Sequence, residues 1–261
     1  MSAGRGGDKA LARGDARQQL ALDDGFSFGI GAFETIAFYG RRPVLLDAHL
    51  CRLRAALEAL GISPERCPSV RDVLREVAQQ ALDDGVAKVM VSETNVVWQF
   101  RENHYTEQQR RDGLRLVFGS LTRNETSPLV RHKTLACAES ILERRRVQTL
   151  GFDDSLLLNS KGEVCETTSS NVFLVTSTGR IKTPALCCGL LPGTLRTWVI
   201  GRRLAEECRL SAEDLLEASA LFVTNAVMGV MPVASLESQL YASNRTVDAL
   251  SREYRVYIDT L

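Results

Sequence analysis

The sequence predicts a two-domain α/β (α+β) protein, and three observations support this prediction. The chain has 261 residues, of which 44% are hydrophobic and 25% are charged, so it can bury a substantial core. Short apolar runs typical of strands alternate with longer runs in which apolar residues recur at helical spacing. A polar, turn-rich segment, residues 121–128, separates these runs into two sets. We therefore expect a small N-terminal α/β domain over residues 19–120, a linker over residues 121–128, and a larger C-terminal domain over residues 129–261.

Each predicted element has a local signal. Residues 1–18 are polar and rich in glycine, which predicts disorder. In the N-terminal domain we expect a strand at residues 33–38, a helix capped by Asp47 and ended by Gly61, a helix from Ser69 to Leu82, and strands at 86–91 and 114–118. In the C-terminal domain we expect helices at 135–149, 193–208 and from Thr246, and strands at 155–158, 172–175, 180–182 and 221–224.

Charge and cysteine content exclude several functional classes. The 32 basic residues balance 32 acidic ones, so no global field attracts nucleic acid or an anionic membrane. No apolar stretch of about 18 residues and no secretory signal is present, which predicts a cytoplasmic protein. The seven cysteines are an odd number without Cys-x-x-Cys spacing, and the three histidines are scattered, so neither disulfide framework nor metal site is expected. Small-molecule chemistry is favoured.

Glu166 occupies the most informative stretch of the chain. It follows a glycine-containing turn at residues 159–162 and precedes four small hydroxylated residues and Asn171. A carboxylate in such a polar turn, next to an apolar strand, is a candidate cofactor contact. The alternative is that Glu166 only hydrogen-bonds the Thr/Ser turn.

Lys133 is the candidate nucleophile. It lies between the predicted linker and the first helix of the C-terminal domain, where its side chain could turn inward. A lysine amine attacks carbonyl compounds when burial or a neighbouring cation depresses its pKa, and Arg131 and His132 could contribute such an effect. The alternative is a solvated lysine without a catalytic role.

Three further segments carry the features of an anion site. A Gly/Pro turn at residues 189–193 opens a helix whose first amides belong to Thr194 and Leu195. A strand runs into the small polar loop Thr224-Asn225. Arg52 follows His49 by three residues and could supply a charge. Each has an ordinary alternative: any helix can begin with Pro and Gly, and Arg52 could be a surface residue lying over Leu50 and Leu53.

Taken in order, these segments resemble the class IV aminotransferase family, the fold-type IV pyridoxal-phosphate enzymes. The resemblance runs from about residue 24 to residue 233. It is carried by Asp24-Gly25-Phe26-Ser27-Phe28-Gly29 with Phe33-Glu34-Thr35, by His49-Leu50-Cys51-Arg52-Leu53, by Lys133, and by residues 162–173, 191–196 and 224–233.

The resemblance implies a cofactor and roles for these residues. Pyridoxal 5'-phosphate would lie in the cleft between the two domains. Lys133 would bind it covalently and act as general base and acid, and Glu166 would pair with its pyridine nitrogen. Its phosphate would be held by Arg52, by the amides of Thr194 and Leu195, and by Thr224 and Asn225. The family also implies a homodimer.

The substrate is less clearly indicated. Residues 223–233 and the Lys133-Thr134-Leu135 segment look most like the aminodeoxychorismate lyases, which release pyruvate from 4-amino-4-deoxychorismate to give 4-aminobenzoate for folate synthesis. Residues 92–105 depart from the family pattern and are expected to form a loop that faces the substrate. Phe33, Arg101 and His104 are candidate substrate contacts. An aminotransferase acting on D-amino or branched-chain amino acids, and a cofactor-binding relative without turnover, remain alternatives.

Overall fold

The computed structural model describes residues 19–203 and 205–261. They form two compact units, of which the first ends at His104 and the second begins at Tyr105. The segment 1–18, predicted to be disordered, lies outside the described residues. Within the described residues, none of the helices is long and apolar enough to cross a membrane.

The first unit is a four-stranded antiparallel sheet covered on one face by two helices. Its strand order is β2-β1-β3-β4. The core lies between this sheet and helices α2 and α3 and is entirely apolar except near Glu34. The elements are α1 (Asp24–Phe28), β1 (Ala32–Tyr39), β2 (Arg42–Pro43), α2 (Leu46–Ala59), α3 (Val70–Ala78), β3 (Gly85–Val91) and β4 (Val96–Arg101).

The predicted bounds of the two helices in this unit are partly correct. The Ser69–Asp72 capping box opens α3 as predicted, and Gly61 adopts the left-handed conformation (φ 72°) just after α2. Asp47 is not the cap of α2: Leu45 precedes the helix and makes no side-chain cap. Helix α3 stops at Ala78, before Leu82, because the following chain is bonded into the β1–β2 turn, where Asp84 accepts a hydrogen bond from Gly40 N.

The predicted loop at residues 92–105 contains a six-residue strand at its centre, which corrects the sequence interpretation. Val96–Arg101 pairs along its whole length with β3. Trp98 and Phe100 point to the helices and stack with their ring centroids 6.1 Å apart. The tight β3–β4 turn is fixed by Asp23, whose carboxylate accepts hydrogen bonds from the side chains of Ser92, Thr94 and Asn95.

The second unit is built around a nine-stranded mixed sheet. The order is β10-β9-β8-β11-β12-β5-β6-β7, and β13 pairs with β12. Its elements are α4 (Glu107–Asp112), β5 (Leu114–Arg123), α5 (Ala138–Thr149), β6 (Asp154–Asn159), β7 (Val164–Thr167), β8 (Asn171–Val175), β9 (Ile181–Pro184), α6 (Thr194–Arg203), β10 (Glu206–Cys208), α7 (Ala212–Leu216), β11 (Ala220–Asn225), β12 (Gly229–Leu236), β13 (Gln239–Leu240) and α8 (Arg245–Asp259).

This sheet curls because a short turn joins its edge to its interior. Strand β7 lies at the edge and β8 lies five strand spacings away, which would be about 24 Å in a flat sheet. Residues 168–170 are the only link between the two strands, and the backbone from Thr167 to Asn171 spans at most about 14 Å. The sheet must therefore fold back until the end of β7 meets the start of β8, which is where Glu166 lies.

The linker prediction at residues 121–128 is wrong in position. Strand β5 continues to Arg123 and pairs in parallel with β6 on one side and β12 on the other. Glu125 is bonded to the β6–β7 turn through Ser160 Oγ at 2.7 Å. The polar composition of this segment reflects those turn contacts, and the boundary between the units lies at residues 104–105.

The predicted helix at residues 193–208 is also shorter in the structure. It ends at Arg203, and Glu206–Cys208 forms the parallel edge strand β10 beside β9. The remaining predicted helices and strands are present within a few residues of their expected bounds.

A buried charged cluster stands in the core of the first unit. Glu34 is fully buried on the helix side of β1. Arg52 Nε and Nη2 each lie 2.7 Å from one of its carboxylate oxygens, and His49 Nδ1 lies 2.6 Å from Oε2. Burial would raise the pKa of Glu34, but the charges of Arg52 and His49 hold it at about 2, below the usual 4.5.

We predict that Glu34→Gln lowers the free energy of unfolding by about 3 kcal/mol at neutral pH, because it leaves Arg52 without its buried counter-charge. The folded pKa of Glu34 is depressed, so its contribution is complete above pH 4.5 and is lost as the pH falls toward 2. Guanidinium unfolding of wild type and variant should therefore differ at pH 7 and converge near pH 2.

The matched control is Glu58→Gln, which changes an exposed carboxylate on the same helix as Arg52. It should leave the unfolding midpoint nearly unchanged at both pH values. Equal losses in the two variants, or a difference that persists at pH 2, would show that the cluster does not act through the charge of Glu34.

Candidate active site

Glu166 lies near the end of strand β7, just before the turn that leads into β8. It is 5% exposed, and its Oε1 pairs with Arg123 at the end of β5. Its Oε2 accepts hydrogen bonds from Leu191 N at 3.1 Å and from Asn171 Nδ2 at 3.4 Å. Burial raises the pKa of Glu166, while Arg123, the Leu191 amide and the charge of Lys133 oppose that rise.

The hydroxylated turn that follows Glu166 is held by a different carboxylate. Asp154, at the start of β6, accepts hydrogen bonds from the side chains of Thr167, Thr168 and Ser169. The alternative in which Glu166 itself binds the turn is therefore wrong, and Glu166 is directed instead to Arg123 and Leu191 N. Sequence patterns did not identify Asp154, because the pair Asp153-Asp154 reads equally well as a surface turn.

Lys133 lies in the chain between β5 and α5, and its side chain is half-buried. Its positive charge acts on the buried Glu166 carboxyl, so the two side chains lie in the same region of the second unit. The sequence placed them 33 positions apart, and the curl of the sheet brings them together. Arg131, which is exposed, and His132, which is half-buried, directly precede Lys133 in the chain.

Asn171 and the start of α6 lie beside Glu166. Asn171 Nδ2 donates to the carbonyl of Leu191 at 2.9 Å. A Cβ atom on Gly193 would lie 2.0 Å from Asn171 Oδ1, so only glycine fits this approach of the chain to the β8 strand. Thr194 and Leu195, both buried, then form the first turn of α6. The first amides of a helix have no partner within the helix and favour an anion.

Thr224 adds a buried hydroxyl to this region. It lies directly opposite Asn171 in the pairing of β11 with β8, so the two side chains are neighbours on one face of the sheet. Thr224 Oγ1 is buried without a hydrogen-bond partner among the described residues. A buried hydroxyl is normally satisfied, so an unpaired one marks a position where a ligand acceptor fits.

The Asn225 side chain holds the turn that follows β11. Its Oδ1 accepts hydrogen bonds from Val227 N at 3.0 Å and Met228 N at 2.7 Å, and its Nδ2 donates to Ser170 Oγ at 3.0 Å. The side-chain amide is thus committed to the turn that it forms. If Asn225 binds an anion, only its backbone can do so.

Arg52, Phe33, Arg101 and His104 lie in the first unit. Arg52 is not the surface residue of the simple alternative, because its side chain is 12% exposed and bonded to Glu34. Phe33 lies on the sheet face opposite α2 and α3, where the Lys88 Nζ stands 4.7 Å from its ring centroid.

Lys88 was missed by the sequence reading, which treated 86–91 only as an apolar strand. It faces Thr35 on β1 and Gln99 on β4. Arg101 is two residues beyond Gln99, so Lys88 and Arg101 are diagonal neighbours on the same face. His104 follows the end of β4. The sequence does contain a signal for Lys88, because a lysine within an alternating apolar strand is expected on the more exposed face of the sheet. In the structure Lys88 and Met90 are the half-buried positions of β3.

Comparison with known proteins identifies the family. The model of "Amino-transferase class IV" matches residues 31–236. The chain is 29% identical over 246 residues to an aminodeoxychorismate lyase of Bacillus subtilis (strain 168), which covers 85% of this chain and 83% of that protein. It is 26% identical over 257 residues to a putative branched-chain-amino-acid aminotransferase of Methanocaldococcus jannaschii, which covers 90% and 88%.

Structural comparison agrees with the sequence match. A putative 4-amino-4-deoxychorismate lyase from Legionella pneumophila superposes with a TM-score of 0.81 at 26% identity and covers 91% of this chain and 95% of its own. The α/β fold of the fold-type IV enzymes and the pyridoxal-phosphate cofactor, both implied by the motifs, are thus confirmed at the level of the family. The chain belongs to the class IV aminotransferase family, the fold-type IV pyridoxal-phosphate enzymes.

Proposed function

We propose that this enzyme is a 4-amino-4-deoxychorismate lyase, which converts its substrate to 4-aminobenzoate and pyruvate. One observation supports this choice most directly: Lys88 and Arg101 share one face of the four-stranded sheet with the aromatic ring of Phe33. The substrate is a six-membered ring that carries one carboxylate directly and a second on its enolpyruvyl ether side chain. Two cations beside an aromatic side chain fit such a ring, because each can bind one carboxylate while Phe33 contacts the ring.

The residues of the second unit fit the family cofactor. Glu166 would pair with the pyridine nitrogen: Arg123 opposes the rise that burial causes in the pKa of Glu166, and an ionised carboxylate favours a protonated ring nitrogen. The Thr224 hydroxyl, which has no partner among the described residues, and the first amides of α6 suit the phosphate. Bound pyridoxal phosphate supplies an electron-accepting ring that stabilises a carbanion next to an amino group.

Lys133 would perform the proton transfers. Its amine, once unprotonated, removes the proton from C4 of the substrate, and the C3–O bond then breaks as the ring becomes aromatic. The departing enolpyruvate takes up a proton and becomes pyruvate, so all atoms of the substrate appear in the two products. No water, oxidant or amino acceptor enters this reaction.

An aminotransferase is the second candidate. The similarity to a putative branched-chain-amino-acid aminotransferase over 88% of that protein favours it. Such an enzyme would bind a single α-carboxylate, for which one of the two cations is sufficient. The homodimer and the cytoplasmic location expected from the sequence stay predictions.

We expect purified protein loaded with pyridoxal phosphate to release equimolar 4-aminobenzoate and pyruvate from 4-amino-4-deoxychorismate without an amino acceptor. Chromatography measures 4-aminobenzoate, and a coupled dehydrogenase assay measures pyruvate. Absence of both products, together with amino transfer from D-alanine or a branched-chain amino acid to 2-oxoglutarate, would establish the aminotransferase instead. Absence of every turnover with a bound cofactor would indicate a binding protein without activity.

Lys88→Met is expected to lower kcat/KM for the lyase reaction about tenfold to a hundredfold, the effect of losing one hydrogen bond to a charged group. The loss should fall mainly on KM, since Lys88 would bind the substrate and take no part in the chemistry. Lys161→Met, which removes an exposed lysine of the second unit, is the control and should retain wild-type kinetics. Unchanged kinetics in the Lys88 variant would contradict the proposed carboxylate contact.

Borohydride reduction of the loaded enzyme should attach the cofactor mass to the peptide that contains Lys133. The chain has only five lysines, so peptide mass spectrometry can assign the site without ambiguity. Lys133→Ala should remain folded, lose covalent attachment and lose turnover by several orders of magnitude. Attachment to a peptide carrying Lys88, Lys161 or Lys182 would refute this assignment.

Gly193→Ala should weaken cofactor binding, because the added Cβ displaces Asn171 and shifts the start of α6. The matched control is Gly201→Ala in the same helix, where a Cβ meets nothing within 4 Å. That control should stabilise the protein by up to about 1 kcal/mol. Equilibrium titration of the apoproteins with pyridoxal phosphate checks both variants, and equal affinities would show that the Gly193 approach is unimportant for the site.

A further inference from the structure

Asp154 is a buried carboxylate satisfied entirely by neutral donors. It is 3% exposed, and within the described part of the chain no basic side chain forms an ion pair with it. Its oxygens accept five hydrogen bonds: from Thr167 Oγ1 and Ser169 Oγ at 2.9 Å each, from Thr168 Oγ1, and from the amides of Thr168 at 3.3 Å and Ser155 at 2.8 Å. A carboxylate is costly to bury, and this number of donors offsets the cost.

These bonds fix the turn that connects the two strands of the site. Three consecutive side chains, Thr167 to Ser169, converge on the one carboxylate. Thr167 Oγ1 in turn accepts a hydrogen bond from Ser170 N at 2.9 Å. Glu166 is bonded directly to Thr167 in the chain, so the position of the Glu166 carboxylate depends on how this turn is held.

The same network continues to the loop after β11. Ser170 Oγ accepts a hydrogen bond from Asn225 Nδ2 at 3.0 Å. Asn225 Oδ1 then accepts hydrogen bonds from Val227 N and Met228 N. A continuous series of hydrogen bonds thus links Asp154 to the residue next to Thr224, whose buried hydroxyl has no hydrogen-bond partner among the described residues.

We propose that Asp154 is a positioning residue for pyridoxal-phosphate binding, which holds Glu166 and Thr224 in place through the hydroxylated turn. It bonds to neither side chain and would not touch the cofactor. The proposal rests on the roles proposed above for Glu166 and Thr224. It does not depend on which reaction the enzyme catalyses.

Asp154→Asn tests this role with almost no change in shape. The amide replaces one acceptor oxygen by a donor, so at least two of the five donors lose their acceptor and the turn loosens. Titration of the apoprotein with pyridoxal phosphate, followed by absorbance of the bound cofactor, should give a Kd at least about tenfold higher than that of wild type. Asp153→Asn is the control: Asp153 accepts a hydrogen bond from Arg115 N at 2.7 Å, and its variant should stay within about twofold of wild type.

Urea unfolding of the apoproteins separates positioning from simple stabilisation. If Asp154→Asn lowers the unfolding midpoint but binds the cofactor with wild-type affinity, Asp154 has only a structural role and the proposal is overturned. A wild-type protein that fails to bind pyridoxal phosphate refutes the proposed function itself. If the wild type binds pyridoxal phosphate and the Asp154→Asn variant binds it with the same Kd, only the positioning role of Asp154 is refuted.

Ser170→Ala provides a second variant, which by itself tests the connection if Asp154→Asn does not fold and allows a double variant if it does. It removes the hydroxyl that links the turn to Asn225 and leaves the Asp154 bonds intact. Its Kd should rise by several-fold, and the double variant should bind hardly more weakly than Asp154→Asn alone, because both changes interrupt one series of bonds. A wild-type Kd for Ser170→Ala, or fully multiplicative effects in the double variant, would show that no such connection operates.

Discussion

The turn at residues 168–170 is the constraint on which the second unit depends. It joins an edge strand of the nine-stranded sheet to an interior strand and so forces the sheet to curl. The curl places the ends of β5 and β7 and the starts of β8 and α6 in one region. Arg123, Glu166, Asn171 and Gly193 are in contact there because the chain is short at this turn.

A turn under this constraint needs its polar groups satisfied, and the sequence does this with hydroxyls. Small hydroxylated side chains can bond to a carboxylate and to backbone at the same time, and they occupy little space between two strands. Asp154 supplies the acceptor for them. Glu166 is thereby left for Arg123 and the Leu191 amide, with one oxygen directed to each. Two neighbouring carboxylates thus have separate functions, set by the donors around them.

The sequence predicted the order of elements because this order depends on local signals. Capping boxes, glycines after helices and apolar periodicity are short-range, so β1 and β8 were found close to their true bounds and α3 at its true start. Arg123, Asp154 and Glu34 were missed because their partners are 43, 13 to 15 and 15 to 18 residues away in the chain. Contacts between residues so far apart in the chain leave no periodic pattern in the sequence.

The error at residues 92–105 has a specific physical cause. The segment contains Asn, Gln, Arg and Glu, which indicate a loop, but its apolar positions alternate, and pairing with β3 satisfies its backbone. As a strand it has defined faces: Trp98 and Phe100 pack against the helices, and Gln99 and Arg101 face the other way. The sheet therefore holds the backbone of Arg101, on β4, at a fixed distance from the backbone of Lys88 on the neighbouring strand β3.

This rigidity bears on the choice between one carboxylate and two. A cation on a flexible loop can move to meet a single carboxylate, at the cost of ordering the loop. Lys88 and Arg101 are attached to diagonal positions of a paired sheet, so neither can move far from the other. Their like charges repel, and this repulsion is costly unless anions lie near them. A substrate with one carboxylate on its ring and a second on its enolpyruvyl side chain relieves this repulsion at both positions. An amino acid with a single α-carboxylate relieves it at only one, so the energetic advantage of retaining both cations favours the lyase.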